Sequence, residues 1–263
     1  MVEPTQLPAI SQQVTELVLA GSSQYAEEAF NEAAEQFGDL AVVTVLDLLE
    51  PQVAAMHLTA FDGGKLSLAT LLISPKAWAD SLAFFAAQWS VEMIEDEPEL
   101  LAKSLFAHIH GVLFSNDDAE RRAALIQHAL ANDWGTTAFA VVFSTAIDEI
   151  IELANDIFHR GAPSSGQTTS DHDVIPLALE IAQTDIDAWE RVLFEIFPDW
   201  QPGENHLQTK ASVSDEDEEH EHALGRTTQE LLVRLRKQVP STSIKIHPST
   251  HTKRPSLGED IFE

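Results

Sequence analysis

The sequence predicts an all-α protein of short helices, and three observations carry that expectation. The first is a phrase that recurs as LLEPQVAAMHLTAF, LISPKAWADSLAFF and DEPELLAKSLFAHI, placing Pro51, Pro75 and Pro98 at spacings of 24 and 23 residues. The second is the pattern after each proline. Offset three holds Ala54, Trp78 or Leu101, and offset four is always alanine (Ala55, Ala79, Ala102). Offset seven is always leucine (Leu58, Leu82, Leu105), and offset ten is Phe61, Phe85 or His108. Proline at the first helical position loses only a donor that would be orphaned anyway, and offsets of three, four and seven mark one helix face. The third is that AVVTVLDLL (41–49), rich in strand-favouring residues, lacks the polar alternation of a half-buried strand. A unit returning at a fixed period is the signature of stacked helical arrays. The expected architecture is therefore short repeats of about 24 residues, stacked into an α-solenoid-like domain or an irregular bundle.

The first helix is expected over 11–20, with Val14, Leu17 and Val18 turned inward. Residues 24–37 place Tyr25, Ala26, Ala29, Phe30, Ala33 and Phe37 at helical spacing and close at Gly38. AVVTVLDLL (41–49) and LSLATLLI (66–73) are rich in strand-favouring residues. Each directly precedes a proline-led amphipathic segment and lacks alternation, so each reads as helix. Asp62-Gly63-Gly64-Lys65 is a turn between units. Asn116-Asp117-Asp118 supplies a cap for a helix over 119–131. Residues 136–159 read as one long helix, apolar almost all round in its first half and so a candidate for the centre of the core. After the polar stretch 160–173 come two more helices, VIPLALEIAQ and DIDAWERVLFEIF.

The organisation expected is an all-helical domain over 1–200, with the repeats at 39–110. Beyond it are expected an acidic disordered linker (201–222), a basic amphipathic helix (223–240) and a flexible tail (241–263). The linker holds SDEDEEHEH, and the tail ends in the acidic and apolar GEDIFE.

The formal charge is −28, unevenly spread. Residues 1–120 carry nineteen acids against three lysines, a net of −16, whereas residues 226–254 carry seven bases against Glu230 alone, a net of +6. An acidic body repels phosphate backbones, so the main domain is not expected to bind nucleic acid. There is no cysteine, which excludes disulfides, thiol catalysis and thiolate zinc sites. No basic region followed by an apolar run opens the chain, and no apolar stretch approaches the roughly 20 residues of a membrane span. A cytoplasmic location is the expectation.

Sequence motifs for chemistry are sparse. There is no Gly-x-Ser-x-Gly elbow, His-Glu-x-x-His, EF-hand loop or dinucleotide fingerprint. Gly63-Gly64-Lys65-Leu66-Ser67 lacks the upstream glycine and the Lys-Ser/Thr pair of a phosphate loop. Asp171-His172-Asp173 sits in a polar loop, where helix capping is the commoner role. His108 and His110 are two apart, so on a helix they do not share a face for one metal. No cofactor, metal or catalytic residue is assigned.

The functional expectation is a non-enzymatic scaffold or adaptor. Trp78 and Trp89 are candidates to line a binding groove. Leu231, Leu232 and Leu235 form a stripe that could lie in a partner's groove, or dock on the chain's own body, flanked by Arg234 and Arg236. The second expectation is an acidic chaperone-like or inhibitory protein masking a basic nucleic-acid-binding client. The third is an enzyme of unfamiliar type using Glu149, Glu152 and Asp156, which lie at helical spacing.

Overall fold

A computed structural model describes residues 6–60, 67–161, 174–199 and 225–241. These form α1 (Gln6–Leu19), α2 (Ser23–Phe37), α3 (Asp39–Leu48), α4 (Pro51–Thr59), α5 (Leu68–Leu72), α6 (Pro75–Leu82), α7 (Val91–Asp96), α8 (Pro98–Leu113), α9 (Ala119–Leu130), α10 (Asp133–Phe143), α11 (Ile147–Arg160), α12 (Val174–Thr184), α13 (Ile186–Ile196) and α14 (Thr228–Lys237), with short 3-10 turns at Phe85–Gln88 and Ser144–Ala146. Among the described residues there is no strand. The segments 201–222 and 242–263, expected as linker and tail, lie outside the described residues.

Proline does at the helix starts what its chemistry dictates. Pro51, Pro75 and Pro98 open α4, α6 and α8. Ala54, Trp78 and Leu101, the three following alanines, and Leu58, Leu82 and Leu105 are all buried. The apolar offsets thus mark the inward faces of these helices. α4 lies against α6, and the most extensive partner of α6 is α9. α1, α2 and α3 pack on one another at the amino-terminal end.

α10 is the centre. Residues 138–143 have no exposed surface at all, and α13, α14, α9, α8 and α12 pack around it. Burying this many Ala, Val and Phe side chains is the main stabilising term, at about 25 cal/mol per Å² of apolar surface. Helices α9 and α10 approach so closely that a Cβ on Gly135 would lie 2.0 Å from the Ala129 carbonyl oxygen. Only a residue without a side chain fits that crossing. Arg121 holds two neighbours to α9, donating to the carbonyls of Thr70 (3.1 Å) and Ile73 (3.3 Å) beside α5 and of Val112 (3.3 Å) in α8.

Two boundaries differ from expectation. α1 begins at Gln6, so Ser11, expected as its start, is a buried mid-helix residue. The long helix expected over 136–159 is broken at 144–146. The Ser144 and Thr145 hydroxyls donate to the carbonyls of Val141 and Val142, each over 2.8 Å, competing for acceptors that the helix would use. Ala146 then leaves helical geometry at φ −140°, ψ 51°, and α11 starts afresh.

Candidate interaction surface at the C-terminal helix

The basic segment forms α14, whose start is fixed locally. The Thr227 hydroxyl accepts from the Glu230 amide (3.2 Å), and the Glu230 carboxylate accepts from the Thr227 amide (2.9 Å), a reciprocal capping box. Its leucines are then spaced to one side. Leu231, Leu232 and Leu235 are completely buried against α10, α8, α7 and the 85–88 turn, and belong to the same core as the rest of the chain. Beneath the first turn, the Thr228 hydroxyl lies 2.9 Å from Ser144 Oγ and can donate to it, since the Ser144 proton is given to Val141.

Glu195, in α13, fastens the polar side of this helix. Its Oε1 accepts from Arg234 Nε and from the Thr137 hydroxyl (3.2 Å), and its Oε2 from Arg226 Nη1 (3.3 Å). Arg226 Nη1 also donates to the Glu195 main-chain carbonyl. Thr137, itself buried, accepts in turn from Gln238 Nε2 at 3.0 Å. One carboxylate therefore pairs with two guanidinium groups in a site where it is only 13% exposed. A pair so placed is stronger than a surface pair and leaves an unpaired charge if one member is removed. The approach to α14 is equally tight. A Cβ on Gly225 would lie 2.7 Å from the Phe197 ring and 2.8 Å from the Ile196 carbonyl oxygen.

The outer side of α14 borders a groove of about 360 Å³. Its floor is Ala87, Val91, Ile94, Val233 and Val239, and its rim carries Arg236 and Lys237. Val91 is 45% exposed, and Met93 beside it on α7 is 42% exposed. With Arg226 and Arg234 bound to Glu195, Arg236 and Lys237 are the cations of this helix whose side chains make no ion pair or hydrogen bond among the described residues. The Glu92 carboxyl, across the groove, is held below its ordinary pKa by its own backbone amide and Ser90, with a smaller pull from Arg236.

The other sequence-predicted residues lie apart from this surface or inside the fold. Trp78 is fully buried on α6, and its indole N–H finds no partner among the described residues. Trp89 is 3% exposed, edge-on to Phe85 at 5.4 Å between centroids. Both rings are core in this structure, so a partner would meet neither without the body opening. Glu149, Glu152 and Asp156 are exposed along α11. His108 lies against Phe85 (4.8 Å), and burial pushes its imidazole down to about 4. His110 lies between Phe106 (5.4 Å) and Phe114 (4.6 Å). Gly63, Gly64 and Asp171 to Asp173 fall outside the described residues.

A second polar cluster joins the amino-terminal helices. Glu27 Oε2 meets His57 Nε2 at 3.0 Å and accepts from the Ser67 hydroxyl at 2.9 Å, while Oε1 accepts the Leu68 amide. Burial pushes the Glu27 carboxyl up, but the bonds from His57, Leu68 and Ser67 outweigh it and hold the pKa below the ordinary value. The residue types are those of a hydrolase, but the geometry is not. Ser67 bonds to the carboxylate rather than to the imidazole, and its oxygen also caps α5. These groups tie α2, α4 and α5 together.

Among the described residues no group of three or more histidines and acids is placed to hold a metal ion. No single helix there is long and apolar enough to cross a membrane; α3 and α4 pass that test as a pair but are bent by 119°. No protein-family model, curated protein or solved structure matches the chain. The partners of the clamp, Glu195 and Thr137, carry no signal in the sequence, because each acts on residues that only the fold brings near. The glycine before the basic helix is the one visible hint.

Proposed function

We propose that this chain is a non-enzymatic helical scaffold or adaptor that works by binding another protein, with the outer face of α14 and α7 as its contact surface. The observation that carries this reading is the division of labour on α14. Its leucines and two of the arginines near it are spent on the body, while Val233, Arg236 and Lys237 are left beside an apolar groove. Exposed apolar side chains rimmed by charge are what a protein-binding surface needs. The rest of the body offers the reading a rigid support. We read α4, α6 and α8 as diverged copies of one proline-led unit, and their like-placed buried faces support that view. The polar cluster nearest to catalytic chemistry, Glu27 with His57 and Ser67, is consumed in holding helices together.

Affinity capture with the full-length chain from native lysate, followed by mass spectrometry, tests the reading. One protein retained in stoichiometric amount is the expected result. Retention of basic nucleic-acid-binding clients in its place, reversed by salt, would point to an acidic masking protein. Turnover of a small molecule with no stable partner would contradict a scaffold.

A further inference from the structure

α11 keeps one edge of its apolar face outside the core. The helix rests chiefly on α12 and the 144–146 turn. Ile150, Ala154 and Ile157 are its buried residues. Beside them stand Ile147, Ile151 and Phe158, four and then seven positions apart and so in line along a helix. The two isoleucines are half-buried, and the Phe158 ring is 48% exposed.

The row next to this edge is acidic. Asp148 and Glu152 lie exposed one turn apart, Asn155 follows, and His159 ends the row. The side chains of Asp148, Glu149 and Glu152 make no ion pair or hydrogen bond among the described residues. The elements on which α11 chiefly rests supply no free cation. The 144–146 turn carries no charge, and α12 carries only Glu180, bound to Arg122 of α9 at 3.1 Å. Residues 144–184 hold seven acids against Arg160 alone, a net of −6.

We infer that the outer side of α11 binds a cationic amphipathic helix of a partner protein. Apolar side chains of that helix pack on Ile147, Ile151 and Phe158, and its lysines or arginines meet Asp148 and Glu152. Charge of one sign selects one kind of occupant. A neutral or acidic segment lying here would strip water from carboxylates and give them no partner, whereas a cationic one pairs them. The apolar edge sets the register, because helices pack along side-chain rows of this spacing. This contact shares no residue with the face proposed on α14 and α7, so it goes beyond that reading and fails or stands separately from it.

The test uses the full-length protein and a fluorescein-labelled synthetic peptide with Leu on one helical face and Lys on the other, followed by anisotropy. Saturable binding is expected with a Kd of about 1–100 μM, the range of a small transient contact. Because the chain carries a charge of −28, the decisive reading is which substitutions weaken binding. Asp148→Lys with Glu152→Lys should weaken it roughly tenfold or more, and Phe158→Ser, which leaves every charge in place, by about fivefold. Glu32→Lys with Glu35→Lys, an equal reversal on exposed positions of α2, should change it by less than about twofold. Circular dichroism matching the parent separates loss of binding from loss of fold. Should the double reversal unfold α11, Phe158→Ser alone decides. The proposal is overturned if the peptide does not bind, if the α2 pair weakens binding as much as the α11 pair, or if Phe158→Ser has no effect. Equal binding by a scrambled peptide of the same composition overturns it too, since charge alone would then be the cause. It also falls if binding appears only after Lys245→Glu with Lys253→Glu and Arg254→Glu, because the chain's own basic stretch would then be the occupant.

Discussion

The backbone amide of Arg226 donates to the carbonyl of Ile196 over 2.8 Å. Residues on either side of the stretch 200–224 therefore meet at one point, where Gly225 presses on Phe197 and the Arg226 side chain reaches Glu195. The basic helix leaves this point already in register with α13 and α10. It is built in as an element of the core.

Truncating its leucines should accordingly cost as much as truncating the core elsewhere. Leu232→Ala or Leu235→Ala is expected to lower the unfolding free energy by about 2–5 kcal/mol, and Leu82→Ala by a similar amount. Urea unfolding of the three variants checks this. A helix resting loosely on the surface would give losses below about 0.5 kcal/mol at the two α14 positions.

Glu195→Ala should be the most costly polar change on this face. It leaves Arg226 and Arg234 without their carboxylate and removes the acceptor for Thr137. A loss of about 1–3 kcal/mol is expected. Glu195→Gln, which keeps an acceptor but no charge, should fall between it and the parent in the same measurement.

Two glycines are required by space rather than by backbone angle. Gly135→Ala would drive a methyl into the Ala129 carbonyl at 2.0 Å, where the obstacle is backbone and cannot rotate away. Gly225→Ala meets a phenylalanine ring and a carbonyl at 2.7 and 2.8 Å. Both should lower the melting temperature, by about 1–3 kcal/mol in stability, with Gly135 at the upper end or beyond.

Acid should destabilise the fold in two windows. Burial takes the His108 imidazole down to about 4. Between about pH 6.5 and that value the unfolded chain binds a proton that the folded chain does not, so stability falls as pH drops. Glu27 acts lower. Its folded pKa lies below the ordinary value, so its contribution is present above the unfolded pKa and is lost as pH falls through the folded one. Urea midpoints measured against pH should lose the upper limb in His108→Phe and part of the lower limb in Glu27→Gln.

Much of this fold is legible in the sequence because it is written in local chemistry. Pro51, Pro75 and Pro98 announce three helix starts, and Asp118 announces α9 by accepting from the amides of Glu120 and Arg121. The spacing of Leu231, Leu232 and Leu235 announces an apolar face. What the spacing does not carry is the identity of the surface that covers the face. Apolar period alone makes 136–159 one helix, because the break depends on where two hydroxyls point. Trp78 and Trp89 read as groove candidates because an aromatic ring on a helix face has the same signature in a core as at a surface. Glu195 is hidden for a further reason. It is one carboxylate among 43 acidic residues, and its partners Arg226 and Thr137 are 31 and 58 positions away.

Hydrogen exchange of the full-length protein, read by mass spectrometry, tests most directly that α14 belongs to the folded body, the condition for the contact surface proposed on its outer face. Amides of Leu231 to Lys237 should exchange as slowly as those of the wholly buried segment 138–143 in α10, at low and at high salt alike, because leucine burial dominates the contact. Exchange across α14 at the rate of an unstructured peptide, with α10 still protected, would contradict it.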